Sequence, residues 1–209
     1  VDATFDQQGA VDAFASRGFK NIYSFDLSAA TDTIPQGLYL PVMQGLFDWT
    51  IAKAWLSLIT ERVFEVVPPG EEISIKEGFK NVRYNRGQPM GMYSSWGLLA
   101  LTHHMMVQFC ANRVLKANTG VRPSTWSDGP LPFNDYLVLG DDIVIACKLV
   151  ADEYVKFCER SYVILNMSKS LISDDSFMNF ASQSVRGGVN YSPASLKDHF
   201  QVTSLTQRV

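Results

Sequence analysis

Cysteine, surplus basic charge and long apolar runs are all scarce in this chain of 209 residues. Three cysteines (Cys110, Cys147 and Cys158) are too few and too scattered for a zinc cluster or a disulfide-built secreted scaffold, so reduced thiols are expected. No segment stays apolar for the roughly eighteen residues a membrane span needs. The best candidate, Trp96 to Phe109, is interrupted by Thr102, His103 and His104. Eighteen basic side chains against 21 acidic ones leave a net charge of −3, so charge alone does not suggest a nucleic-acid partner. Internal repeats and low-complexity tracts are missing, which excludes solenoids and arrays. The chain opens on Val1 without Met or a signal-peptide pattern and reads as one compact unit, residues 1–209, cut from something longer. An apolar fraction of 46% with 19% charged residues is that of a globular chain, not a disordered tail.

The apolar pattern gives a coarse order of elements. Asn21 to Asp26 reads as a strand ending on a carboxylate, and Pro35 suits the first turn of a helix. Helical spacing runs from Leu38 to Phe47 and from Trp49 to Ile59. Arg62–Val67 and Asn81–Tyr84 alternate like a hairpin around a turn-rich insert containing Pro68 to Glu72. Tyr93 to Lys116 is apolar on both faces and predicts a buried helix beneath the sheet, with Trp49, Trp55 and Trp96 in the core. Beyond a loop from Asn118 to Asn134, Tyr136–Leu139 and Ile143–Ala146 read as two strands joined by Gly140-Asp141-Asp142. Ala151–Arg160 reads as a helix, Val163–Leu165 as a strand, Phe177–Val189 as a hairpin and Ser195–Phe200 as a short helix. Tight turns between neighbouring strands predict an α+β fold with an antiparallel sheet backed by helices.

Four places carry chemistry. Asp141 and Asp142 would repel one another at a hairpin tip unless solvated or neutralised by a cation, although Gly and Asp also suit an ordinary polar turn. A second acidic site, Asp26 with Asp32 six residues on, also ends a strand. Asp26, Asp141 and Asp142 could converge where two strands lie side by side. A few carboxylates completed by water and phosphate suit magnesium, and two such ions about 3.5–4 Å apart suit phosphoryl transfer. Arg86 to Gly91 precedes the long helix. Its glycines allow close approach to a phosphate or ribose, with hydroxyls from Ser94 and Ser95, or it is a plain capped loop. Lys169, in Ser168-Lys169-Ser170, is a solvated lysine or a proton donor to departing pyrophosphate. His103 and His104 point about a hundred degrees apart and read as satisfied core histidines.

Together these blocks resemble the successive palm motifs of a mitovirus RNA-dependent RNA polymerase. The resemblance is carried by Asp26-Leu27-Ser28-Ala29-Ala30-Thr31-Asp32, by Gly87 to Trp96 running into Leu101–His104, and by Leu139 to Ile145. Thr4–Gln7, Asn166–Ser170 and Gly187–Pro193 resemble flanking segments of the same family. The chain departs from the pattern at Thr33, where a basic residue is usual, and at Met178–Gln183, where acidic and basic residues usually surround Phe-Ala.

The resemblance implies a right-hand polymerase palm with part of the fingers. Asp26 and Asp141 would be the principal metal ligands and Asp142 an auxiliary one. Asp32 and Ser95 would read the 2′-hydroxyl of the nucleotide, Gly87 and Gly91 would give the template-side loop its mobility, and Lys169 would be the general acid. Magnesium is the implied cofactor, with manganese as a substitute. RNA template, nascent RNA and nucleoside triphosphates are the implied partners, and the host mitochondrion is the implied location. The family's basic fingers motif and its thumb would lie outside the chain, leaving this piece alone inactive. A reverse transcriptase shares the palm, but Leu139 and Gly140 before the acidic pair, and Asp32 at the place of a steric gate, speak against it. An endogenised, catalytically inactive remnant is the other reading.

Overall fold

The computed structural model describes residues 2–65, 81–119 and 133–193. The Pro68–Glu72 insert, most of the Asn118–Asn134 loop and the Ser195–Phe200 helix lie outside the described residues. The chain runs α1 (Gln7–Ala15), β1 (Ile22–Asp26), α2 (Ala30–Thr33), α3 (Gln36–Leu46) and α4 (Trp49–Thr60). A short pair follows, β2 (Phe64–Glu65) with β3 (Asn81–Val82), and then the long α5 (Ser95–Thr119). The last part holds β4 (Tyr136–Leu139), β5 (Asp142–Ile145), α6 (Lys148–Arg160), β6 (Leu171–Ser173), β7 (Phe177–Phe180), β8 (Gln183–Arg186) and β9 (Val189–Asn190).

Four of these strands form one antiparallel sheet in the order β4-β5-β1-β6. Alternation along β1 divides its side chains between two cores. Tyr23 and Phe25, with Tyr136, Val138, Ile143 and Ile145, pack against α5 and α6. Ile22, with Leu137 and Val144, packs beneath α1 and the β7–β8 hairpin through Val11, Phe14, Met178 and Phe180. Both faces are therefore covered, which is why the central strands read as near-continuous apolar runs. Asp26 follows Ile22 and Ser24 onto the hairpin side, where the sheet runs out of cover.

Several expectations are corrected. Residues 163–165 form no strand: β6 occupies the edge beside β1, and only a Leu27–Leu165 bridge remains. Of the expected hairpin around the insert, the described residues show Phe64–Glu65 paired with Asn81–Val82, and Val66 and Val67 lie outside them; the terminal hairpin is a three-stranded meander. The long helix is not buried all round. Twenty-five residues span about 37 Å, far more than four-residue strands can cover, so Leu98, Leu99, Met106 and Cys110 are buried while Trp96, Leu101 and Phe109 face outward. Only Trp55 of the three expected core tryptophans is buried, at 7% exposure. Trp49 and Trp96 are 47% and 51% exposed. Pro35 caps α3 from outside in an extended conformation.

Candidate active site

Register brings the two acidic sites together. Asp26, the last residue of β1, lies directly opposite Asp142, the first of β5. Like charges in that relation destabilise a sheet. Burial, then Asp141, then Asp26 push the Asp142 carboxyl up to about 6, while the Ala181 N–H and Lys169 act the other way. The Ala181 N–H donates to Asp142 Oδ2 at 3.1 Å. Lys169 Nζ is 3.7 Å from Asp26 Oδ2, at the end of a largely exposed side chain. Its turn is tied to the strand end because the Asn166 N–H donates to the Asp26 carbonyl at 2.8 Å. Asp26, Asp142 and Lys169 line a cavity of about 520 Å³, walled on the far side by Asn179, Ala181 and Ser182 of the hairpin.

Asp141 turns the other way. Leu139 pairs with Asp142, so Gly140 and Asp141 are the two central residues of a tight hairpin. Gly140 has φ +60° and Asp141 is outside the left-handed region, the pattern of a II′ turn. A Cβ at Gly140 would lie 2.4 Å from the Trp96 ring, so a side chain is excluded there as well. Asp141 lines a second cavity, about 340 Å³, with Ser95, Gly91, Trp96 and Thr31. Ser95 is buried, whereas Asp32 is exposed and lines neither cavity. Asp32 instead stands beside Tyr84, whose phenol is raised by burial and by the Asp32 carboxylate.

The glycine loop is pinned to the segment after β1. A Cβ at Gly87 (φ +70°) would lie 2.2 Å from the Thr31 carbonyl oxygen, whereas one at Gly91 would meet nothing within 4 Å. The Gln88 N–H donates to Thr31 O at 2.7 Å, and its side-chain amide to Ser95 O at 2.9 Å. Arg86 donates to the carbonyls of Thr33, Ser161 and Tyr162, joining α2, the loop and the end of α6. Sequence reading gave Arg86 and Gln88 no separate role, because their partners are backbone carbonyls that leave no trace in composition. His103 is a satisfied core histidine, as expected.

Among the described residues no three His, Cys, Asp or Glu side chains are preassembled as a metal cage. Asp26 and Asp142, face to face with Asp142 resisting ionisation, are nevertheless a hard oxygen pair of the kind that suits a magnesium ion, which takes one or two carboxylates and completes its shell with water and phosphate, whereas Asp141 opens into the other cavity.

The fold and the sequence both have known relatives. A human picobirnavirus RNA-dependent RNA polymerase superposes with TM-score 0.56 at 14% identity, over 96% of this chain and 41% of that one. Telomerase from Candida albicans gives 0.57 at 15% identity, over 90% of this chain and 33% of that one. Both likenesses place the fold among polymerase palms. The RNA-directed RNA polymerase of Cryphonectria parasitica mitovirus 1 is 36% identical over 193 residues, 91% of this chain but 20% of the viral protein. An uncharacterized mitochondrial protein of Arabidopsis thaliana is also 36% identical, over 87% of this chain and 66% of that protein. The chain thus spans about a fifth of one relative and just under two thirds of the other. The family model for mitovirus RNA-dependent RNA polymerase matches residues 1–207, and the chain belongs to that family.

Proposed function

We propose that this chain is the palm, with adjoining finger elements, of an RNA-directed RNA polymerase that replicates a viral RNA genome. The observation that supports it most is the register that sets Asp26 against Asp142, with Asp141 next in the chain. In this reading Asp26 and Asp141 are the principal ligands for magnesium, or manganese in its place, and Asp142 is auxiliary. When bound, the metal supplies Lewis-acid polarisation of phosphate oxygens and neutralises the carboxylates.

The chain's own groups do the rest. The reaction joins a nascent RNA 3′-oxygen to the α-phosphorus of a nucleoside triphosphate and breaks the bond to pyrophosphate. Lys169, at the mouth of the larger cavity, donates a proton to the leaving pyrophosphate. Ser95, in the smaller cavity beside Asp141, hydrogen-bonds the ribose 2′-hydroxyl, and Asp32 contributes from the outer side. Gly87 and Gly91 let the loop approach the template strand. Template and nascent RNA are the partners, and basic segments elsewhere in the polymerase hold their phosphates. The mitochondrial relative supports a mitochondrial location. Among the described residues no helix is long and apolar enough to cross a membrane.

Templated incorporation of ribonucleotides by the polymerase carrying this segment, with magnesium and an RNA template, is the test. The 209-residue chain alone is expected to give none, since orientation by surrounding parts supplies on the order of 7–11 kcal/mol in such reactions. No incorporation by the longer protein, with either metal, overturns the reading. The match to a plant mitochondrial protein favours one rival, an endogenised and inactive remnant. A reading frame broken by stop codons outside this segment would establish that rival.

A further inference from the structure

His103 is fully buried in α5, and both of its ring nitrogens are engaged. Nδ1 is 2.8 Å from the Gly140 carbonyl oxygen, and Nε2 is 2.7 Å from the Tyr154 hydroxyl. A carbonyl oxygen can only accept, so Nδ1 carries the hydrogen. In a neutral ring Nε2 is then an acceptor, and Tyr154 is the donor. Burial keeps the ring neutral, pulling its pKa down to about 4. The relay therefore runs one way, from Tyr154 on α6 through His103 on α5 to the backbone of the acidic turn.

The Gly140 carbonyl belongs to the central peptide of that turn. Types II′ and I′ differ by a flip of this peptide: both need φ above zero at the first central residue, and only I′ needs it at the second. Glycine is at ease in either, and aspartate tolerates the left-handed region, so Gly140-Asp141 is compatible with both. The same molecule uses the other form in the β7–β8 turn, where Ala181 and Ser182 both have positive φ. At Gly140-Asp141 the II′ form is adopted. A flip would reverse the Gly140 carbonyl and turn Asp141 to positive φ, sending its carboxylate elsewhere. Trp96, seven residues before His103 and so on the same face of α5, covers Gly140 from the side but makes no hydrogen bond to its carbonyl.

We propose that His103 is a positioning residue for Asp141: its Nδ1–H holds the Gly140–Asp141 peptide in the II′ orientation and so fixes where the Asp141 carboxylate points. Its effect on turnover presupposes the catalytic reading above, whereas its effect on the turn does not.

Two arms separate the ideas. In the 209-residue chain, nitrogen-15 spectra of the His103 ring are expected to show Nδ1 protonated and Nε2 bare, with negative φ at Asp141 from a weak intraresidue HN–Hα NOE. An Nε2–H tautomer or an imidazolium overturns the proposal. His103→Asn places an amide nitrogen near Nδ1 and keeps the donor to Gly140. His103→Gln places it near Nε2, reaches Tyr154 and leaves Gly140 bare. In His103→Gln, Asp141 is expected to populate positive φ. In the full polymerase its kcat is expected to fall about 10–100-fold with the nucleotide KM unchanged, while His103→Asn stays within a few-fold of wild type. Packing alone predicts the opposite order, since glutamine is the larger residue, so equal losses or a better glutamine variant overturn the proposal. Tyr154→Phe keeps the volume and is expected to lose less than His103→Gln. If the wild-type polymerase incorporates nothing, the catalytic reading fails, while the tautomer and the Asp141 backbone still decide the role of His103.

Discussion

Two acidic places in this molecule are built in opposite ways. Glu153, nearly buried between α5 and α6, has Arg113 at 3.0 Å and Arg160 at 2.6 Å. Its charge is matched twice over by guanidiniums reaching in from solvent. At the ends of β1 and β5, Asp26 and Asp142 face one another with one lysine near them, 3.7 Å from Asp26 and mostly exposed, while Asp141 opens into the other cavity. The first arrangement is complete without a ligand and holds two helices together. The second sets two carboxylates face to face, and Asp142 resists ionisation, first because it is buried and then because Asp141 and Asp26 are near. Glu153 needs no further partner, whereas the Asp26–Asp142 pair is where the cation proposed above would sit.

The sharpest way to break the contrast is Asp141→Asn in the full polymerase. On the role proposed above for Asp141 as a principal ligand, incorporation is expected to fall by more than about a hundredfold with the circular dichroism spectrum unchanged. Retention of a tenth of the activity would make Asp141 as dispensable as an ordinary turn residue.

Next comes Asp142→Asn, which should stabilise the fold. The folded chain binds the Asp142 proton more tightly than the unfolded chain does, about 6 against 3.8. Ionisation therefore destabilises the fold, not at all well below pH 4, increasingly from pH 4 to 6, and fully above that. Urea midpoints should show a gain on the order of 1–3 kcal/mol at pH 8 and none at pH 3.5. Equal stability of the two proteins at pH 8 would remove the charge conflict from the account.

Glu153→Gln should do the reverse, losing about 1–2 kcal/mol, a modest figure because both arginines are half exposed. The loss should be the same with and without magnesium. A magnesium-dependent loss would show that the two acidic places are not independent.

The smallest effect is that of magnesium on the wild-type chain. At ten times its dissociation constant it should stabilise the fold by about 1.4 kcal/mol, more at pH 8 than at pH 5, where protons compete for Asp142. Thermal melts that do not move at pH 8, or that move equally in Asp142→Asn, would count against a cation site.

Much of the sheet was legible in the sequence. Asn21–Asp26, Tyr136–Leu139 and the strand after Asp142 are short apolar runs bounded by polar or glycine residues, and each appears within a residue of its expected place. What escaped was short or weakly patterned. Four-residue α2 follows Ala29 at positive φ without a side-chain cap, and three-residue β6 is an edge strand with Ile172 exposed. The signal for α1 was present, since Asp6 caps it by accepting from Gly9 and Ala10, Val11 and Phe14 form its buried stripe, but its polar first turn hid the helix. Trp96 misled because hydrophobicity says that a side chain seeks cover, not which face of a helix finds it.

By itself the sequence determined the carboxylates, their places at strand ends and the turn that joins two of them, because these depend on local preferences of Gly, Asp and apolar β-formers. Only the tertiary structure decided that Asp26 stands across from Asp142, that Asp141 opens into a different cavity, and that Ser95 and Asp32 part company. Register and covering elements set those relations. The His103 relay was equally unreadable, because its acceptor is a backbone carbonyl 37 residues away and its donor a tyrosine on another helix.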